Sequence, residues 1–231
     1  MEKPLQIKGI VESEYPVLYA AVEKNMITYN IRKVRIKILK HGLSAAVISF
    51  FGDNLIVTKK LIEIMNEDEI EAIVAHEFSH IYNRDHIVKL TVAFLFGLPL
   101  LYICITICIT INRGNISFWQ GIFFLIAFFI SMYGIKVVNW ITIFQEVRSD
   151  REAILKTSKP DAMMTALLKL YSEPFTRSKR PCYFEKISES FDYLSRYFYG
   201  FTHPGLKERI EYLELAKKML ETQKGKAEVG E

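Results

Sequence analysis

Two long uncharged stretches limit what this chain can become. Residues 90–111, LTVAFLFGLPLLYICITICITI, hold no charged side chain, and neither do residues 114–135, GNISFWQGIFFLIAFFISMYGI. Each is roughly 20 residues long, enough at ~1.5 Å per residue for a helix to cross a hydrocarbon core of about 30 Å. Only Asn112 and Arg113 stand between them, so the pair is expected to form a two-helix transmembrane hairpin with a tight outer turn. The alternative is a pair of core helices in a soluble protein. A 231-residue chain seldom has a core large enough to hide both.

Composition sharpens this division. Half the residues are hydrophobic, with 16 Phe and 12 Tyr, and the excess is concentrated in 90–135 while both flanks are ordinarily charged. A net charge of +4 is too small and too dispersed for nucleic-acid binding, but it suits a surface close to anionic lipid. Three cysteines make no disulfide framework, and Cys104 and Cys108 are expected as small buried apolar side chains one turn apart. The N-terminal MEKPLQIKGIVESEYP lacks the apolar core of a signal peptide, so the segment before the first span is expected to stay in the cytoplasm. Basic residues agree. Lys59, Lys60, Arg84 and Lys89 precede the first span, Lys136, Arg148 and Arg151 follow the second, and the turn holds Arg113 alone.

The flanks are expected to be α+β and mainly helical. Residues 16–27 have helical spacing in Val17, Ala20, Ala21 and Lys24, with Val22 and Met26 beside them. KVRIKILK over 33–40 alternates with the period of a half-buried strand, and 45–51 and 55–58 look like two more strands around Gly52-Asp53-Asn54. Asn66 with Glu69 three residues on makes a capping box for a helix running to residue 81. Pro160 opens a helix to 171, a helix covers 206–220, and the tail 221–231 is expected to be disordered.

The chemistry is expected in HEFSH. Residues four apart stand on one helix face, so His76 and His80 can hold one zinc ion, with Glu77 aimed at the water in its fourth position. HExxH alone also fits a chance match on a solvated helix. A catalytic zinc needs a third protein ligand, and QEVRSD offers Glu146 for it, with Asp150 on the same helical face to take the N–H of a ligand histidine. On its own that pair fits a solvated acidic face equally well. Spacing ties the segments together: His80 lies about ten residues before the first apolar run and Glu146 about eleven after the second, so continuous helices would bring both to roughly 15 Å below the membrane, a match that a kink at Asn83-Arg84-Asp85 would loosen.

HEFSHIYNRD, the apolar hairpin, FQEVRSDREA and THPGLKERI, in that order, resemble the HtpX-like membrane metalloproteases, relatives of the CAAX prenyl endopeptidases. The resemblance runs from about residue 53 to 220. It implies a zincin-like, gluzincin-type endopeptidase with one zinc on His76, His80 and Glu146, base Glu77, and His203 and Arg209 helping to hold substrate or the tetrahedral intermediate. Otherwise His203 would be a helix-start histidine and Arg209 a surface or ion-pairing residue. It also suggests that strand 45–51 receives substrate by strand addition, an ordinary buried strand being the alternative. Two departures from the HtpX type are read in these residues: no N-terminal pair of spans is found among them, and Gly205 stands where a proline often follows His-Pro.

The expected organisation is therefore a cytoplasmic protease domain split into 1–89 and 136–220 by a hairpin at 90–135. Its substrates would be polypeptides, membrane-associated or misfolded, cleaved in quality control or regulated proteolysis. The alternatives are a CAAX-type processing endopeptidase and an inactive membrane scaffold. An intramembrane protease is excluded because HEFSH lies in a charged stretch and neither span has an Asp.

Overall fold

The structure is a computed structural model that describes residues 5–39, 54–113, 117–172 and 205–229. The expected strand at 45–51 and His203 lie outside these. In chain order come β1 (Gln6–Lys8), α1 (Pro16–Thr28), β2 (Lys33–Leu39), β3 (Asn54–Thr58), α2 (Lys59–Ile64), α3 (Glu67–Tyr82), α4 (Asp85–Arg113), α5 (Phe118–Thr157), α6 (Pro160–Ser172) and α7 (Leu206–Val229).

The three strands form one parallel sheet, β1-β2-β3, with Val34 opposite Ile7 and Ile36 opposite Leu55. Its alternation sends Val34 and Ile36 inward and Lys33, Arg35 and Lys37 to solvent. The inner face packs with α1 and α3 into the main core, which includes Leu18, Val22, Met26, Ile70, Val74 and Phe78. The buried stripe of α1 is Leu18, Ala21, Val22, Asn25 and Met26, whereas Ala20 and Lys24 are exposed. The expected face was thus rotated, because the true i, i+3, i+4 series starts at Leu18.

Helix α3 begins as expected. Asn66 Oδ1 accepts from Glu69 N–H, and Glu69 Oε2 accepts from Asn66 N–H, each at 2.9 Å. From Glu69 to His76 every residue is buried, making α3 the central helix. It does not continue into the first apolar stretch. Asn83 caps it, Arg84 turns left-handed at φ +53°, and α4 starts afresh at Asp85. Helix α5, by contrast, is continuous from the second apolar stretch through Glu146 and Asp150. The expected continuity holds on one side and breaks on the other.

Helices α4 and α5 are both long and apolar enough to cross a membrane. Ser131 Oγ donates to Phe96 O at 3.0 Å, and a Cβ at Gly134 would overlap Phe96, so the two backbones approach closely there. The remaining faces expose Phe94, Leu95, Leu101, Phe123, Leu125 and Phe129. Cys104 is exposed on α4, not buried as expected, because one neighbouring helix covers only one face. The second helix starts at Phe118. Ser117 caps it through Gln120 N–H at 3.3 Å, and Gln120 returns a bond to Ser117 N–H at 2.9 Å.

Below them, Ile154, Met163, Leu167 and Leu213 join Ala72 in a second core that docks α6 and α7 against α3 and α5. The last helix runs to Val229, past the expected end at 220. Glu, Gln, Lys and Ala fill most of this extension and favour a helix, and Gly225 is its single breaker.

Candidate metal centre

The buried stretch of α3 ends on the site. One turn separates His76 and His80, and their Nε2 atoms lie 3.1 Å apart. Glu146 comes from α5, with Oε2 at 3.6 Å from His76 Nε2 and Oε1 at 3.6 Å from His80 Nε2. Donors about 2.0–2.1 Å from a tetrahedral zinc stand roughly 3.3 Å from one another, so the two Nε2 atoms and the Glu146 carboxylate are spaced to suit one ion. They are also the group of His, Cys, Asp and Glu side chains that converges on such a point among the described residues. Glu77 is half-buried beside His76 in sequence.

Behind each histidine stands a carboxylate and behind each carboxylate an arginine. His76 Nδ1 lies 2.7 Å from Asp150 Oδ1, a close ion-pair contact but not a well-aligned hydrogen bond. Asp150 accepts from Arg209 Nε at 2.8 Å and from its Nη2 at 2.6 Å. His80 Nδ1 lies 2.7 Å from Asp85 Oδ2, with Ser149 Oγ at 3.2 Å, and the other Asp85 oxygen pairs with Arg148. Acidic partners at both Nδ1 atoms favour the tautomer that leaves each Nε2 lone pair free toward Glu146.

The electrostatics follow. Burial alone would raise the Asp150 carboxyl, but His76 and Arg209 outweigh it and hold the pKa below the usual carboxylate range. The same opposition acts on Asp85, where His80 and Arg148 win over burial. Burial disfavours a charged His76, yet Asp150 and then Glu146 draw its pKa upward. Arg209 is held firmly charged despite its burial, chiefly by the Asp150 hydrogen bonds. The centre is clamped to its surroundings by Glu152, whose Oε2 accepts from Ser79 Oγ at 2.6 Å and Asn83 Nδ2 at 3.0 Å.

The structure therefore brings together His76, His80, Glu146, Asp150 and Arg209. Two donor groups of Arg209 are committed to Asp150, and Nη1 sits 3.7 Å from Glu146 Oε2. Sequence reasoning missed Asp85 and Arg148. Asp85 closes the stretch HEFSHIYNRD five residues after His80, but a lone acid there carries no signal of its partner.

Two histidines on one helical turn, a carboxylate from a second helix and a buried polar support behind them define a candidate metal centre of the HExxH class. The chain belongs to peptidase family M48, whose profile matches residues 32–217. Among curated proteins it is similar to "Protease HtpX homolog" of Pyrococcus furiosus, 27% identical over 176 residues, covering 70% of this chain and 58% of that protein. The protein of the same name from Pyrococcus abyssi is 26% identical over 223 residues, 88% of this chain and 74% of that one. The one from Methanothermobacter thermautotrophicus is 28% identical over 175 residues, 74% and 65% respectively. The chain thus spans little more than half the length of the first of these relatives. No solved structure matches it. The resemblance carried by HEFSH, QEVRSD and the apolar stretches is borne out as an HtpX-like member of this family.

Proposed function

We propose that the chain is a membrane-anchored, zinc-dependent endopeptidase. The observation that carries this reading is the convergence of His76 Nε2, His80 Nε2 and the Glu146 carboxylate at separations of 3.1 and 3.6 Å. These three side chains would hold the ion, one per chain. Zinc, when bound there, lowers the pKa of a water to about 7 and polarises a peptide carbonyl. Glu77 takes a proton from the attacking water and delivers it to the leaving amine. Asp150 and Arg209 keep His76 oriented. His203 and the remaining donor of Arg209 would meet the substrate, as the family resemblance implies.

Helices α4 and α5 would cross the bilayer as a hairpin, and 1–89 with 136–220 would form one zincin-like domain beneath it. The basic residues flanking the hairpin favour the cytoplasmic side. The substrates we favour are membrane-associated or misfolded polypeptides cleaved in quality control or regulated proteolysis. No specific observation favours a prenylated peptide.

The test is Glu77→Gln in the full chain, with zinc content and casein cleavage measured side by side. The reading expects cleavage to fall by ~10²- to 10⁴-fold while zinc is retained. Absence of cleavage in wild type and variant alike would leave an inactive scaffold standing.

A further inference from the structure

We infer that Asp85, held by Arg148, is a positioning residue for His80, and that metal retention therefore depends on how the start of α4 docks against α5. This rests on the reading of His76, His80 and Glu146 as the zinc ligands.

Asp85 is the first residue of α4, placed immediately after the left-handed Arg84. Its side chain is 4% exposed, yet both carboxylate oxygens are used. One oxygen receives His80 Nδ1 at 2.7 Å and the other pairs with the Arg148 guanidinium of α5. Its main-chain oxygen also accepts from Gln145 Nε2 of α5 at 3.4 Å. His80 thus takes its backbone position from α3 but its ring orientation from a residue whose own place is set by α4 and α5. An imidazole free to turn about its side-chain bonds would present Nε2 over a wide arc. A carboxylate fixed on Nδ1 removes that freedom, and loss of such a partner typically weakens metal binding by ~10- to 100-fold.

A purely structural role is the competing account, because an acid in the first turn of a helix stabilises it without any histidine. The two accounts part on the metal. In the full chain purified in detergent, zinc affinity is measured by chelator competition and ligand geometry by the visible spectrum of the cobalt-substituted protein. Thermal unfolding of the metal-free chain serves as the folding control. Asp85→Asn keeps size and hydrogen bonding but removes the charge. It is expected to bind zinc ~10- to 100-fold more weakly, with an altered cobalt spectrum and little change in metal-free unfolding. Arg148→Leu should weaken zinc less, Arg148→Lys should restore part of the loss, and the double variant should be no weaker than Asp85→Asn alone.

Wild-type zinc affinity and cobalt spectrum in folded Asp85→Asn would overturn the inference. So would losses that simply multiply in the double variant, because Arg148 would then act somewhere other than through Asp85. If Asp85→Asn does not fold, Arg148→Leu decides, and unchanged affinity and spectrum in it would overturn the proposal. His80→Ala distinguishes a deeper failure: full zinc binding in that variant would sink the ligand assignment itself.

Discussion

His76 and His80 are braced by the same pair of chemical groups, a carboxylate and an arginine, assembled in two different parts of the molecule. Behind His76, Asp150 lies on α5, the helix that also carries Glu146, and Arg209 reaches it from α7 with two hydrogen bonds and a side chain 7% exposed. Behind His80, Asp85 lies across a helix break, and Arg148 is 29% exposed. The first brace is buried between the helices that carry Ile154 and Leu213 of the second core. The second joins the first residue of α4 to the C-terminal part of α5, and its geometry is only as firm as the packing of those two helices. A site with one brace of each kind has one histidine set by the fold of the domain and another set by the packing of the two apolar helices.

The largest difference should appear in stability. Arg209→Leu leaves Asp150 buried without its cation and removes a charge near Glu146, a situation that typically costs on the order of 3–5 kcal/mol. Arg148→Leu also leaves a buried acid, Asp85, but this arginine is 29% exposed and water can reach the gap, so a smaller loss of roughly 1–2 kcal/mol is expected. Denaturant unfolding of the two metal-free variants, against wild type, measures both. Equal losses would break the comparison, because the two braces would then be equally embedded.

How far such features could be read in advance depends on how local their cause is. The start of α3 was legible because Asn66 and Glu69 make reciprocal bonds three residues apart, and HEFSH because the i, i+4 spacing acts within one helix. Glu146 and Asp150 were legible for the same reason. The start of α5 at Ser117 was equally local, but hydropathy alone extended the second stretch back to Gly114 and hid the Ser117–Gln120 box. The break at Arg84 has no Gly or Pro to announce it. The pairing of residue 85 with 148 and of 150 with 209 follows from how whole helices pack, which no local spacing encodes.

An intermediate effect should come from the apolar pair itself. A Cβ at Gly134 would overlap Phe96 Cβ and Cγ, so Gly134→Ala must shift α4 relative to α5. If the second brace transmits that shift, zinc affinity should fall, by less than the ~10-fold lower bound expected for removing the carboxylate outright. Gly121→Ala on the same helix meets nothing within 4 Å and should leave affinity unchanged. Equal affinities for both variants and wild type would show that His80 is insulated from the anchor.

The smallest effect separates stability from positioning. Glu71 ties α3 to Lys159 at 2.7 Å and to Lys24 at 2.6 Å, away from both histidine braces. Burial would raise the Glu71 carboxyl, but hydrogen bonds from Lys159 and Lys24 outweigh it and lower the pKa. A carboxyl with a depressed folded pKa stabilises the protein above its unfolded pKa, and that contribution disappears as pH falls through the folded value. Lys159→Met should therefore cost about 1 kcal/mol or less at neutral pH, and the gap from wild type should shrink as acid protonates Glu71. Unfolding of metal-free protein across acidic pH measures the gap, and a gap independent of pH would refute the ion-pair account. Zinc affinity at neutral pH should not move in this variant. A loss there as large as in Asp85→Asn would mean that weakening α3 anywhere loosens the metal, and the braces would have no special claim on it.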